Sequence, residues 1–383
     1  MSETRVGGRR PIDGLNPRLE EVWAPYMEWA KDHPRPRFDL CGSNLLACTI
    51  DDLPGAREAV APNGDNDRGY PPLIAAIAAH HGTSIDCVAP ASGASGANFL
   101  ALAALVGPGD EVLVERPAYD PLLGAARLLG ATVTRFERRL EDGFAVDPQR
   151  LDAALTPKTR LVVITSPHNP SGAVVGGDEL DAIAELAARR GVHVLVDEVY
   201  LDTISPRPQA AANRSARFLS SGSLTKAYGL AGLRCGWVLA APEVAAAIRR
   251  VRGAVEAIGA YPAEVLARVA FANIEALAAR ARAILEPNRA ALAAFLASRP
   301  ELEWVPPAGG TVAFPRLSGH QDAGPFVEML LAEHQTSVVP GRFFEAPAHF
   351  RIAFGGVELQ VLRGALARLG RALDGLRGVG VRR

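Results

Sequence analysis

The sequence predicts an α/β fold: a three-layer sandwich built on a mostly parallel sheet, joined to a smaller α+β domain. Three observations predict it. From Asp110 onward, short apolar runs alternate with helical patterns, as a parallel sheet covered on both faces requires. Asn169, Asp197 and Ser223 each follow the end of such a run, where α/β sheets open their ligand crevice. Near the C-terminus, Leu362, Leu366, Leu369, Leu373 and Leu376 form one apolar stripe, which suits a helix covering a small domain.

Residues 1 to about 37 are rich in Pro, Arg and Trp, which predicts an aromatic arm with one helix from Pro17 to Lys31. In the Phe38–Leu45 segment that follows, Asn44 reads as a turn asparagine, with a substrate hydrogen bond as the alternative. A polar loop from Asn63 to Tyr70 precedes a helix over Pro72–His81. His80 and His81 fall on adjacent faces of that helix and read as surface residues, not a metal pair. Ser92-Gly93-Ala94-Ser95-Gly96-Ala97 opens an apolar helix running to Val106. Its start gathers free N–H groups and suits a phosphate, a plain Ser cap being the alternative.

Strand candidates are Glu111–Val114, Ala131–Phe136, Leu161–Ile164, Val192–Val196, Phe218–Ser220 and Trp237–Ala240. Leu122–Leu129 and Asp178–Arg190 are helices between them. From Arg249 an Ala-rich connector helix is expected through Ala283. The remainder reads as helix, strand, turn, helix, strand, helix. The expected division is an N-terminal arm with part of the small domain (1–50), a large domain (51–284) and a small C-terminal domain (285–383).

With 383 residues, nearly half of them hydrophobic, the chain can bury a large core in more than one domain. Its net charge of −1 argues against nucleic-acid binding, and Arg377 to Arg383 read as a short solvated tail. Cys41, Cys48, Cys87 and Cys235 form no C-x-x-C pair, so neither a zinc site nor a disulfide framework is expected. Met1 to Arg10 lack an apolar core, and no run reaches transmembrane length. These features predict a soluble cytoplasmic protein.

Three motifs carry chemistry. Ser221 to Trp237 is a small, neutral, glycine-bearing stretch holding one lysine, Lys226, and one arginine, Arg234. Partial desolvation there lowers an amine's pKa and frees its lone pair for attack on a carbonyl, whereas a bare turn would leave the lysine solvated. Ahead of it stand Ser166-Pro167-His168-Asn169-Pro170-Ser171-Gly172 and Val196-Asp197-Glu198-Val199-Tyr200. In that order the three motifs resemble the fold-type I pyridoxal-phosphate (PLP) enzymes, specifically the class I/II aminotransferases, from about Phe38 to Phe354. The resemblance implies that Lys226 forms a Schiff base with the cofactor and Asp197 faces its pyridine nitrogen. It implies Asn169 and Tyr200 at the phenolic oxygen, Tyr119 stacked on the ring, and Ala94, Ser95, Ser223 and Arg234 around the phosphate. It also implies that Arg351, in Phe350-Arg351-Ile352-Ala353-Phe354, clamps the substrate carboxylate together with Asn169. The strand pattern alone leaves Arg351 either clamped or solvated.

The expected activity is an aminotransferase moving an amino group between an L-amino acid, preferably with a neutral or apolar side chain, and a 2-oxo acid. A lyase or decarboxylase of the same fold, such as a carbon–sulfur lyase or an aminocyclopropane-carboxylate synthase relative, is the alternative. A non-catalytic PLP-binding regulator fits less well, because the residues ahead of Phe38 are too few for a full DNA-binding domain. No metal is expected, and the family implies a homodimer. Many relatives reach the partner's phosphate with a tyrosine in the loop held here by Asn63 and Asn66, and carry an arginine where Ile74 stands.

Overall fold

The computed structural model describes residues 24–380, with side chains as far as residue 376. The N-terminal end of the expected Pro17–Lys31 helix and the reading of Met1–Arg10 fall outside the described residues. So do the side chains of the Arg377–Arg383 tail. The described part of the arm forms helix α1 (Pro25–Asp32).

Helix α2 (Pro71–His81) leads to a seven-stranded sheet. Its strands are β1 (Val88–Ser92), β2 (Glu111–Arg116), β3 (Thr132–Glu137), β4 (Thr159–Thr165), β5 (His193–Asp197), β6 (Phe218–Ser223) and β7 (Cys235–Leu239). They lie in the order β1-β7-β6-β5-β4-β2-β3, all parallel except β7, which runs against both neighbours. The apolar runs are continuous because each strand feeds two cores. Val112, Val114, Leu161, Val163 and Leu195 pack on one face, while Leu113, Val162, Ile164, Val194 and Val196 pack on the other. Helix α3 (Gly93–Leu105) covers the first face and α5 (Gly177–Arg190) the second, with α4 (Asp120–Leu128) on the α3 side.

Strand β1 was not among the candidates. It reads Val-Ala-Pro-Ala-Ser, and a proline argues against a central strand. Because β1 lies at the sheet edge with β7 as its only neighbour, Pro90 is tolerated there.

The single connector helix expected after Arg249 is instead three: α7 (Pro242–Val255), α8 (Tyr261–Ala272) and α9 (Ile274–Ala297). Ala257 takes a positive φ of 56° in the first break, and Pro262 sits in the first turn of α8. These signals outweigh the helix-favouring alanines.

His80 and His81 do not sit free on the surface. His81 is buried beside Trp237 and accepts from Arg207 at 2.8 Å, and His80 faces Asp202 at 3.2 Å. Asn66 is also buried, donating to the Gly259 carbonyl and to Glu264, both at 2.9 Å. It is therefore committed within its own chain.

In the C-terminal part, β8 (Phe350–Ala353) pairs antiparallel with Val312–Ala313 and Val339–Pro340. Helices α10 (Gly324–His334) and α11 (Leu359–Gly380) cover it, and Leu362, Leu366, Leu369 and Leu373 all enter that core. Phe38–Asp39 pairs in parallel with Thr336–Ser337, which ties the segment after α1 to the C-terminal part. No helix among the described residues is long and apolar enough to cross a membrane. No metal-binding cluster occurs among them either.

Candidate active site

A cavity of about 560 Å³ opens beyond the C-terminal ends of β4, β5 and β6. Lys226, Asp197, Ala94, Ser95, Tyr119, Asn169, Tyr200, Ser223 and Arg234 all line it. Arg351 is the one residue singled out from sequence that does not.

Lys226 lies on α6 (Leu224–Tyr228), a short helix that β6 runs straight into. Ser223 caps it, its Oγ accepting from the Thr225 N–H at 3.3 Å. Gly229, at φ 71°, ends it, and a Cβ there would come within 2.3 Å of the Leu46 carbonyl oxygen. That close approach lets the arm pass over the helix: the Leu45 N–H donates to the Lys226 carbonyl and the Cys48 N–H to that of Gly229, both at 3.1 Å. Two arm side chains thereby reach the amine. Lys226 Nζ donates to Ser43 Oγ at 2.9 Å and to Asn44 Oδ1 at 2.8 Å, so Asn44 is a site residue and not merely a turn former. The Lys226 pKa is lowered to about 7, by burial first and by the Arg351 charge second, with Asp197 opposing both.

Asp197 ends β5, in register with Thr165 on β4 and Ser221 on β6. It is buried, and burial pushes its pKa up; hydrogen bonds and the Lys226 charge pull the other way. Oδ1 accepts from the Val199 N–H at 3.1 Å, and Oδ2 from Asn98 Nδ2 at 2.8 Å. Asn98 projects from α3, is 4% exposed, and lines the cavity. Its Oδ1 is buried and has no hydrogen-bond partner among the described residues.

At the other end of the cavity Ala94 and Ser95 form the first turn of α3. Arg234, exposed and in the left-handed region at φ 47°, donates to the Ser92 carbonyl at 3.3 Å. A Cβ on Gly93 would meet Arg234 Nη2 at 2.4 Å, so only glycine lets the guanidinium lie over the helix start. A non-glycine residue held in that backbone region marks a site where geometry outweighs local cost.

Arg351 is fully buried, which removes the solvated alternative. Its Nη1 donates to Asn169 Oδ1 at 2.9 Å, and its Nη2 to the Tyr26 hydroxyl at 2.7 Å and the Cys41 carbonyl at 2.9 Å. The Tyr26 and Phe344 rings flank the guanidinium, each centroid 5.0 Å away. Tyr26 belongs to α1, where Met27 accepts from the Tyr119 hydroxyl at 3.2 Å and the Tyr26 N–H donates to Asp120 at 2.8 Å.

Behind Asn169 lies a buried ionic layer. Glu115 accepts from Arg138 at 2.7 Å and from the Thr165 N–H at 2.8 Å, and Thr165 Oγ1 in turn accepts from the Asn169 N–H at 3.2 Å.

Sequence reasoning passed over Tyr26, Ser43 and Asn98. Asn98 did leave a signal: it is a polar residue in an otherwise apolar stretch of helix, where a buried amide needs partners.

The family profile of the aminotransferases class I and II matches residues 63–369. Capreomycidine synthase of Streptomyces vinaceus is 34% identical over 358 residues, 90% of this chain and 92% of that one. A probable N-succinyldiaminopimelate aminotransferase of Mycobacterium tuberculosis is 33% identical over 317 residues, 77% of this chain and 79% of that one. Among solved structures, a PLP-dependent aminotransferase from Streptococcus suis matches with a TM-score of 0.85 at 27% identity. It covers 91% of this chain and 97% of its own.

Proposed function

The chain belongs to the class I and II aminotransferase family, and we propose that it uses pyridoxal 5′-phosphate to exchange an amino group between an L-amino acid and a 2-oxo acid. One observation carries this reading: a lysine amine brought near pKa 7 by burial shares one cavity with a buried carboxylate. The residues fit the cofactor. Lys226 would hold its aldehyde carbon, Asp197 would stand against its ring nitrogen, and the first turn of α3 with Ser95, Ser223 and Arg234 would hold its phosphate. Tyr119 and Tyr200 line the walls between those ends.

When bound, the cofactor supplies an electron sink for the carbanion left at the substrate Cα. The chain supplies the rest. Lys226, basic at neutral pH, would take the proton from the substrate Cα and deliver it to the carbon that carried the cofactor's aldehyde. The acceptors on Ser43 and Asn44 hold the amine while it carries that proton. Asp197 would place a negative charge opposite the ring nitrogen, its carboxylate supported by Asn98 and the Val199 N–H. Asn169, whose Oδ1 is taken by Arg351, has its Nδ2 donors left for the cofactor or the substrate. Orienting the substrate so that the Cα–H bond stands across the ring is worth several kcal/mol of barrier, roughly 7 or more in good cases.

The arm bears on the substrate's far end. Met27 and Ala30 line the cavity and favour a neutral or apolar side chain. Lys31 and Arg35, which also line it, would meet an acidic end group on a longer donor.

A second reading is favoured by one observation: the relative matching most of this chain at 34% identity is named a synthase, not an aminotransferase. That reading is a lyase-type reaction on the same scaffold. Holoenzyme mixed with single donor amino acids and no oxo acid separates the two. Transamination releases one equivalent of oxo acid per site with a lasting loss of yellow colour. Continuous release of ammonia or carbon dioxide would replace it with the lyase or decarboxylase reading.

A further inference from the structure

Asn169 is fixed at its backbone as well as at its side chain. Its N–H donates to Thr165 Oγ1 at 3.2 Å, and the Thr165 hydroxyl in turn donates to Glu115. Glu115 also accepts from the Thr165 N–H at 2.8 Å and from Arg138 Nη1 at 2.7 Å. All three residues are buried, and Thr165 lines the cavity. A hydroxyl that donates to a carboxylate is itself a better acceptor, so Glu115 tightens the hold on Asn169. A buried ion pair adds little net stability over apolar groups of the same volume. What Glu115 and Arg138 contribute is therefore the placing of Thr165.

The residue before Asn169 closes the other side. His168 is fully buried, and its Nε2 lies 2.9 Å from the Pro117 carbonyl, which can only accept, so that nitrogen carries the proton. Nδ1 then accepts from the Ser171 hydroxyl at 2.7 Å. Burial, helped by the Arg138 charge, lowers the ring's pKa well below its ordinary value and keeps it neutral. Glu115 lies near the end of β2, and Pro117 stands two residues ahead of Tyr119. Asn169 is thus tied at two points to the stretch of chain that carries Tyr119.

Resting on the reading of Asn169 as the donor to the cofactor's phenolic oxygen, we propose that Thr165, Glu115 and His168 are positioning residues that set Asn169 against Tyr119. Arg351 holds only the tip of Asn169, through Oδ1 at 2.9 Å. An amide anchored at its tip alone follows Arg351. Anchored at its backbone too, it keeps its Nδ2 hydrogens aimed in one direction relative to the Tyr119 ring.

The test reads the pH at which holoenzyme changes colour as its Lys226 Schiff base loses a proton, beside cofactor affinity and urea unfolding of the apoprotein. A donor at the phenolic oxygen weakens that oxygen's hold on the Schiff-base proton, so losing the donor raises the midpoint. Thr165→Val removes the hydroxyl without changing a charge and should raise the midpoint by about half to one unit, and Asn169→Ala by at least as much. Thr165→Ser keeps the hydroxyl and should keep the wild-type midpoint. A structural role alone would lower stability in urea and leave the colour change where it is. That result in Thr165→Val, with Asn169→Ala shifted, overturns the proposal and leaves the reading of Asn169 standing. A shift in Thr165→Ser as large as that in Thr165→Val would do the same. If Thr165→Val does not fold, Thr165→Ala, which crowds nothing, is held to the same standard. Asn169→Ala at the wild-type midpoint would overturn the reading of Asn169 and this proposal together.

Discussion

Replacing Asn98 by leucine isolates what holds Asp197 in its charged form. The carboxylate is buried, and two donors support it: the Val199 N–H on Oδ1 and the Asn98 amide on Oδ2. Leucine has the same branching and number of heavy atoms, though more bulk, suits the apolar turn of α3 and cannot donate. A hydrogen bond to a charged acceptor contributes about 1.5–3 kcal/mol, and Oδ2 would then have lost its amide donor. Burial already raises the Asp197 pKa, so removing the donor raises it further and leaves fewer molecules charged near neutrality. If the charged form is what pairs with the cofactor's ring nitrogen, about 2 kcal/mol lost is roughly a thirtyfold weaker affinity. Titrating apoprotein with the cofactor at pH 6, 7 and 8 measures it. The variant's affinity should fall as pH drops, because protons compete for the carboxylate, while wild type should change much less. Equal affinities with equal pH dependence would refute the claim that Asn98 holds Asp197.

Lys226 should react with the cofactor aldehyde in a pH-dependent way set by its pKa of about 7: tenfold faster per pH unit below 7, then level. A rate still climbing at pH 10 would show a solvated amine. The same depression has a stability sign. The unfolded chain holds this proton up to about 10.5 and the folded one only to about 7, so Lys226 penalises folding at low pH, and that penalty is relieved as pH rises through the window between them. Glu115→Ala should destabilise the apoprotein by about 3–5 kcal/mol in urea unfolding, since it strands the buried Arg138 charge. A loss below about 1 kcal/mol would mean that the carbonyls of Thr165 and Phe144 satisfy Arg138 unaided.

Strands β2, β4 and β5 were legible because they are buried on both faces, so each carries a short, nearly unbroken apolar run. Five of the six expected strands overlap their observed spans closely, and Phe218–Ser220 runs on only to Ser223. What escaped was written against local preference. Edge strand β1 carries a proline that only its place at the sheet margin permits, and the connector helices break inside an alanine-rich stretch. His81 looked exposed because nothing nearby in sequence announces Arg207 or Trp237 as its neighbours.

The site divides along the same line. Asn169, Asp197 and Ser223 were singled out because each follows an apolar run, under the rule that places ligands beyond the carboxyl edge of such sheets, and all three line the cavity; Lys226 stood out by its small, neutral stretch. Tyr26, Ser43 and Asn44 obey no such rule. They reach the cavity because the Leu45 and Cys48 N–H groups bond across α6 and because Phe38–Asp39 pairs with Thr336–Ser337, contacts between chain segments hundreds of residues apart. Arg351 and Tyr26 are separated by 325 positions, and neither side chain carries a signature of the other. The residues proposed for the cofactor end are thus encoded locally, in motifs that many chemistries share. Those proposed for the substrate end are encoded by how the arm docks. Substitutions in α1 should accordingly change which donor is accepted before they change whether the cofactor binds.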